Sequence, residues 1–238
     1  MNIALIGYGK MGQAIERIAT SRGHKVVLRI QRSNESDLTT ENLKKADVAI
    51  EFTSPEVAAG HVRSCIQAGV PVICGSTGWN SGLPAAIALA EEKGVGFLQA
   101  SNFSIGVNIF FEINKKLAQL MAQQSSYMPS MEEVHHLQKK DAPSGTAISL
   151  AEQILANDPH LSRWILGRSD DPKVLGIEAK REDLVPGTHT IEWHSEVDKI
   201  EIRHTAHNRD GFALGAVLAA EFIPGKKGSY SMKDVLGI

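Results

Sequence analysis

Asn2-Ile3-Ala4-Leu5-Ile6-Gly7-Tyr8-Gly9-Lys10-Met11-Gly12 decides the fold of this chain. A short apolar run, Asn2 to Ile6, meets glycines at once, as a buried strand does when it enters a tight turn. The turn has the spacing G-x-G-x-x-G. Beyond it, Met11, Ala14, Ile15, Ile18 and Ala19 recur at helical spacing, and Gly23 stands where a helix ends. Each glycine has a physical reason in that setting. Gly7 permits the turn, Gly9 lets a pyrophosphate approach the backbone, and Gly12 lets the helix pack on the strand. The free N–H groups of the helix start then face the phosphates. The competing reading is a glycine-rich turn without a ligand; the flanking strand and helix favour a dinucleotide. Gly7, Tyr8, Gly9, Lys10, Met11 and Gly12 are therefore the first cofactor-binding candidates.

The same alternation continues outward. Lys25 to Ile30 and Val48 to Phe52 read as strands. Ser54 at N-cap and Pro55 at the first helical position open a helix that runs to about Ala68. Val70 to Cys74 and Val95 to Gln99 are further strands, with a helix over Leu83 to Lys93 between them. Strands alternating with helices imply βαβ units, hence a parallel sheet covered on both faces. After residue 104 the pattern changes. A longer amphipathic helix covers 107–123, Met131 to Leu137 reads as a strand, and Thr146 to Ala156 as a helix. Two or three strands without helices between them follow from Ile177 to Thr205, including Thr190–His194 and Lys199–Arg203. These predict a second, mixed sheet with antiparallel pairs. A last helix, about Gly211 to Phe222, precedes a turn at Pro224–Gly228.

The expected architecture is α/β. A Rossmann-type dinucleotide-binding domain is built from residues 1–104 plus 208–238. A second α+β domain on a mixed sheet spans 105–207. The substrate is expected between the two, with hinge closure before the chemistry. Composition removes other classes. The net charge is −2, without the basic excess of a nucleic-acid binder. Aromatic residues are 5%, too few for a base-stacking platform. No apolar run reaches the roughly 18 residues of a membrane span, and the N-terminus lacks the pattern of a secretory signal. Cys65 and Cys74 have no metal-ligand spacing and define no disulfide framework, so a reducing, cytoplasmic setting and no metal are expected.

NAD-binding turns place an acidic residue about 20 residues further on, to hold the adenosine ribose. Position 31 is glutamine here, and Arg32 follows. An amide does not repel a 2′-phosphate as a carboxylate does, and Arg32 can pair with that phosphate. The expectation leans to NADPH, with NADH also accepted.

The second constellation is Glu133-Val134-His135-His136-Leu137-Gln138-Lys139-Lys140-Asp141-Ala142-Pro143-Ser144-Gly145-Thr146. It has no metal-ligand form. On a regular strand His135, Leu137 and Lys139 share a face and His136 takes the other. His135 and Lys139 then make an acid/base pair, since histidine titrates near neutrality and lysine donates a proton or binds an anion. Ser144-Gly145-Thr146 opens a helix whose free N–H groups suit a carboxylate or phosphate. The alternative is that Ser144 only caps the helix and the histidines are ordinary residues.

This segment resembles the signature of the 4-hydroxy-tetrahydrodipicolinate (dihydrodipicolinate) reductase family, roughly E-x-H-H-x-x-K-x-D-A-P-S-G-T-A, and fits it through Ala147. The resemblance covers nearly the whole chain. It includes Gly7–Gly12, Gly75-Ser76-Thr77-Gly78, Ala100-Ser101-Asn102-Phe103-Ser104 and His204-Thr205-Ala206 with Arg209, Phe212 and Gly215-Ala216. It implies a homotetrameric enzyme that reduces a cyclic imine dicarboxylate with NADH or NADPH in the diaminopimelate route to lysine. It implies that the domain over 105–207 carries substrate binding and oligomerisation. It implies His135 as proton donor/acceptor, Lys139 as proton donor, and His136, Gly145 and Thr146 as substrate contacts. Gly75, Ser76 and Thr77, with Ala100, Ser101, Asn102 and Phe103, would line the nicotinamide side. Gln31 replaces a common Glu, Ser76 a common Thr, and Lys180-Arg181-Glu182-Asp183 a more glycine-rich loop. His189, His194 and His204 read as structural or interface residues. Trp79 reads either as a nicotinamide shield or as a packed loop anchor. The competing functions are another small Rossmann oxidoreductase, such as an aspartate dehydrogenase-like enzyme, and a non-catalytic NAD(P)-binding sensor.

Overall fold

Ile3 to Ile6 are at most 1% exposed and form the core of strand β1 (Asn2–Ile6). The computed structural model describes residues 1–238. The chain separates into two compact units, Met1–Ile105 with Arg209–Ile238, and Gly106–Asn208.

In the first unit β1 is followed by α1 (Lys10–Ser21), β2 (Lys25–Ile30), a short α2 (Thr40–Leu43), β3 (Val48–Glu51) and α3 (Pro55–Gln67). β4 (Val72–Cys74), α4 (Leu83–Lys93) and β5 (Gly96–Gln99) complete the first pass. All strands pair in parallel, in the order β2-β1-β3-β4-β5. The apolar runs are buried on both faces, one against Ala58, Val62 and Ile66 of α3, the other against Ile15 and Ala19 of α1. The order reverses between β1 and β3. In such sheets ligands bind at that switch point, beyond the carboxyl ends of the strands.

The C-terminal segment returns to this unit. α7 (Asp210–Phe222) lays Ala213, Ala216, Val217 and Ala220 against Ile3, Leu5, Ile50 and Ile73. Gly215 is required there, because a Cβ would stand 1.7 Å from the Phe103 carbonyl oxygen. Beyond α7, β11 (Gly228–Tyr230) adds a sixth parallel strand beside β5, and α8 (Met232–Leu236) follows. The sequence predicts only a turn where β11 begins.

The second unit starts with α5 (Ile105–Met121), then β6 (Met128–His135), α6 (Gly145–Asn157), β7 (Arg163–Leu166), β8 (Val174–Arg181), β9 (Gly187–His194) and β10 (Lys199–Ala206). The sheet order is β10-β9-β6-β8-β7, antiparallel over the first three strands and parallel over the rest. This is the mixed sheet the sequence predicts. α5 and α6 cover one face, packing Phe110, Ala118, Leu150 and Ile154 on Met131, Ile177, Ile191 and Trp193. The other face presents Glu132, Glu178, Glu192 and Arg203, none of them buried.

The end of β6 differs from its sequence expectation. The strand expected over 131–137 starts at Met128 and ends at His135. The Lys139 N–H then donates to the His136 carbonyl at 3.0 Å, so the chain turns directly after His135. His135, Leu137 and Lys139 therefore do not share a strand face. That removes the geometry which set His135 and His136 on opposite sides.

Candidate active-site elements

The glycine turn of the first unit has the geometry its sequence demands. Gly7 has φ +95°, and a Cβ there would lie 2.0 Å from the Phe52 carbonyl oxygen. A Cβ on Gly12 would lie 2.2 Å from the Gly7 carbonyl oxygen. Gly9 meets nothing within 4 Å. Gly7 and Gly12 are thus fixed by the protein's own packing, while Gly9 keeps backbone open towards the outside, as close approach of a pyrophosphate requires. The Gly7 N–H donates to the Ile30 carbonyl at 2.9 Å, which brings Gln31 and Arg32 beside the turn. A cavity of about 560 Å³ lies there, lined by Gly7, Tyr8, Gly9, Arg32, Thr53 and Ser54 among others. Ser54 sits at the start of α3, but its side chain makes no capping bond.

The other predicted cofactor residues lie at the same sheet edge. The Gly75 N–H donates to the Glu51 carbonyl at 2.9 Å, and the Ala100 N–H to the Cys74 carbonyl at 3.1 Å. This aligns Gly75-Ser76-Thr77 and Ala100-Ser101-Asn102-Phe103 beyond β4 and β5. Gly75 cannot carry a side chain, since a Cβ would sit 2.2 Å from the Phe52 ring. Thr77 and Ser101 are exposed, while Ser76 is buried and its hydroxyl accepts the Thr53 N–H at 2.8 Å. Phe103 is 1% exposed and packs its ring 5.6 Å from Phe52, so any contact it makes with a cofactor falls to its backbone. Trp79 is buried and donates its indole N–H to the Ser76 carbonyl at 2.8 Å, which makes it a loop anchor.

Sequence reasoning missed the group that holds this edge together. Glu51, fully buried, accepts the Thr53 N–H at 3.1 Å, the Thr53 hydroxyl and the Cys74 thiol at 3.0 Å. His61 Nδ1 lies 3.6 Å away. Burial alone would raise the Glu51 carboxyl; the bonds from His61, Thr53, Cys74 and Ser76 outweigh it and hold the group below the usual range. The bond to Glu51 raises His61 in turn, against the effect of burial. Burial pushes both Cys65 and Cys74 far up, so neither is a thiolate at neutral pH.

In the second unit, register assembles the site. Glu133 on β6 faces His189 across β9, and His135 faces Arg181 across β8. The inward row of β6 therefore runs from apolar Met131 to Glu133 to His135. His135 is 7% exposed, with its ring edge-on to His189 at 5.1 Å. Burial pushes His135 below the ordinary imidazole range, with Glu133 acting in the opposite sense. Burial, with nearby His135, His204 and Lys139, takes His189 down to about 3. His189, expected to be structural, is thus part of this cluster.

Lys139 lies on the turn after β6, its ammonium 2.9 Å from Asp141. That bond holds the Asp141 carboxyl below its usual value. Ser144 caps α6 by accepting the Ala147 N–H at 3.2 Å, and its hydroxyl lies 3.1 Å from His189 Nε2. Gly145 is exposed and Thr146 half-buried, so the first turn of α6 keeps open N–H groups. Arg181 ties these parts together. It donates to the Asp141 carbonyl at 2.6 Å, the Lys139 carbonyl at 3.3 Å and the Glu133 carboxylate at 3.2 Å. Glu133, His135 and His189 bring one carboxylate oxygen and two imidazole nitrogens within 4.8 Å of one another. The Glu133 carboxylate is already bonded to Arg181 and to the Ser144 N–H.

A doubly wound sheet with an open Gly9, and a second unit with a buried imidazole beside a lysine and a helix start, define an NAD(P)-dependent oxidoreductase. Comparison with known proteins gives the family. The model of the dihydrodipicolinate reductase N-terminus matches residues 1–103 and that of its C-terminus residues 106–236. A 4-hydroxy-tetrahydrodipicolinate reductase of Christiangramia forsetii is 48% identical over 99% of this chain and 98% of its own. One of Anaeromyxobacter dehalogenans is 39% identical over 82% of this chain and 74% of its own. The solved, dipicolinate-bound dihydrodipicolinate reductase of Paenisporosarcina sp. TG-14 superposes with a TM-score of 0.78 at 24% identity, covering 97% of each chain. The chain belongs to the 4-hydroxy-tetrahydrodipicolinate reductase family.

The glycine geometry makes a separable prediction. Gly12→Ala overpacks the turn and should destabilise the protein by about 1–3 kcal/mol in urea unfolding. Gly9→Ala should unfold within about 0.5 kcal/mol of the parent yet bind NADPH at least about tenfold more weakly by calorimetry. Parental NADPH affinity in Gly9→Ala would refute the backbone-approach reading.

Proposed function

We propose that the protein reduces 4-hydroxy-tetrahydrodipicolinate to tetrahydrodipicolinate with NADPH or NADH, in the diaminopimelate route of lysine biosynthesis. The observation that supports this best is the second unit's cluster, His135 and Lys139 beside the open start of α6, within a chain of this family. The nicotinamide of the bound cofactor supplies the hydride. Gly7, Tyr8, Gly9, Lys10, Met11 and Gly12 hold its pyrophosphate, and Arg32 the adenosine end. Gly75 to Thr77 and Ala100 to Phe103 line the nicotinamide side. One substrate carboxylate is received by the N–H groups of Gly145 and Thr146, with His136 as a further contact.

Loss of the 4-hydroxyl as water leaves a conjugated ring imine, and hydride addition to that ring leaves electron density at its nitrogen, which needs a proton. Burial pushes His135 below the ordinary imidazole range, and it serves beside the ring as a proton donor/acceptor. The ammonium of Lys139 is the donor. A positioned acid of this kind contributes about 10²–10⁴-fold. Asp141 and the Arg181 clamp hold Lys139 in place. We read the assembly as a homotetramer through the second unit's sheet. Leu166 at 52% exposure, Ile200 at 41% and Val197 at 87%, on its strands and a turn, support this reading. Light scattering that returns a monomer mass overturns it. Two buried, free thiols suit a cytoplasmic setting.

The test is loss of NADPH absorbance with freshly generated dihydrodipicolinate. Turnover with oxaloacetate and ammonia instead would assign an aspartate dehydrogenase-like activity. Tight cofactor binding without turnover on either would assign a sensor. Lys139→Ala should lower kcat by at least about 10²-fold with NADPH affinity unchanged; a parental kcat removes Lys139 from its role. Arg32→Ala should raise KM for NADPH far more than for NADH, and equal effects would sink the phosphate clamp.

A further inference from the structure

Glu133 is a fully buried glutamate on the inward row of β6, flanked along that row by Met131. A buried carboxylate is costly unless donors surround it, and an apolar residue of similar size often packs as well or better. Donors do surround this one. The Ser144 N–H lies 3.1 Å from each carboxylate oxygen, and Arg181 donates to Oε1 at 3.2 Å. The remaining direction, from Oε2, points at the two imidazoles. His135 Nδ1 is 3.6 Å away and His189 Nε2 3.7 Å.

His135 Nδ1 is itself buried and has no hydrogen-bond partner. Its separation from Glu133 exceeds a formed hydrogen bond, but catalytic hydrogen bonds are often long without substrate and tighten in the complex. The ring has little freedom. The His189 ring stands edge-on with its centroid 5.1 Å away, and a Cβ on Gly187 would stand 3.0 Å from Nε2. A side chain at 187 would crowd Nε2, and Nδ1 is the nitrogen that faces the carboxylate.

We propose that Glu133 is a positioning residue for the proton-transfer imidazole. Its carboxylate takes the Nδ1–H of His135 and so presents Nε2 for proton exchange. Through Ser144 and Arg181 it locks that orientation to the start of α6 and to the Lys139 turn. This rests on the reading of His135 as the proton-transfer group. The charged and titratable groups facing His135 are Glu133 on its own strand, Lys139 and Asp141 on the following turn, Arg181 on β8 and His189 on β9. His189 is neutral near pH 7 and does not compete for the carboxylate's charge. Glu133 and Asp141 favour imidazolium at His135; Lys139 and Arg181 oppose it.

Those signs give the experiment: titration of His135 by NMR on ring-labelled protein, beside the pH profile of kcat. Glu133→Gln keeps the volume and removes the charge. It should move the His135 midpoint to lower pH and cut kcat by about 10²-fold, with KM for NADPH unchanged. Glu133→Asp should recover part of both. Arg181→Met removes an opposing cation and should move the same midpoint to higher pH. It carries the test if Glu133→Gln fails to fold. A midpoint unmoved in either folded variant, or moved the same way in both, overturns the proposal. Opposite movements in a protein that does not turn over dihydrodipicolinate would leave the positioning intact and refute the proposed reaction.

Discussion

A carboxylate taken out of water must be given donors, and each unit of this protein is organised around one that is. Glu51 ends β3 and Glu133 lies two residues from the end of β6, both fully buried. Their partners are mostly groups that a loop leaves without partners of its own: the Thr53 N–H and hydroxyl for Glu51, the Ser144 N–H for Glu133. The loop after the strand is thereby pinned by its own backbone. Such an arrangement contributes less to net stability than an apolar residue would, because desolvation offsets most of the attraction. What it adds is a single conformation for the loop. The loop after β6 is one that the family resemblance assigns to ligands, and the loop after β3 lines the cavity beside Gly9.

The first unit was legible in the sequence because its information is local. Apolar runs followed by glycines, and helices with their breakers, repeat within windows of about ten residues, and the parallel order follows from the connections. Gly7, Gly9 and Gly12 are given separate roles from their spacing alone; a Cβ would clash at Gly7 and Gly12, while Gly9 has open space. What escaped was short or unpatterned. β11 is three residues, and β7 has no fully buried residue to give it an alternation. Pro129 near the start of β6 argues against a strand there, which is why that strand reads as beginning later.

The cluster of the second unit was legible only in part, for a different reason. His135, Lys139 and Ser144-Gly145-Thr146 are neighbours in sequence, so a motif can hold them. Arg181, at the end of β8, and His189, on β9, lie beyond a helix and at least one further strand, and only the register of β6 with β8 and β9 brings them to Glu133. Nothing in the composition of 180–183 announces that Arg181 bonds three backbone carbonyls and a buried carboxylate. The loop that departs from the family's glycine-rich pattern nonetheless keeps the one side chain that closes the turn around Lys139.

Charge is divided within this cluster in a way that suits a reduction. Two imidazoles and one carboxylate are buried, and burial holds both imidazoles below their ordinary range. Positive charge is left to Arg181 and Lys139. Arg181 is spent on Glu133 and on backbone carbonyls, so it is structural. The Lys139 ammonium pairs with Asp141, which is largely exposed, and the Lys139 side chain is 22% exposed. It is therefore the one cation of the cluster that can turn from its partner to a dicarboxylate without leaving a buried charge unpaired. A net charge of −2 over 238 residues says nothing of this. On the proposed function, the anionic ring is met by the one cation the fold leaves free to move.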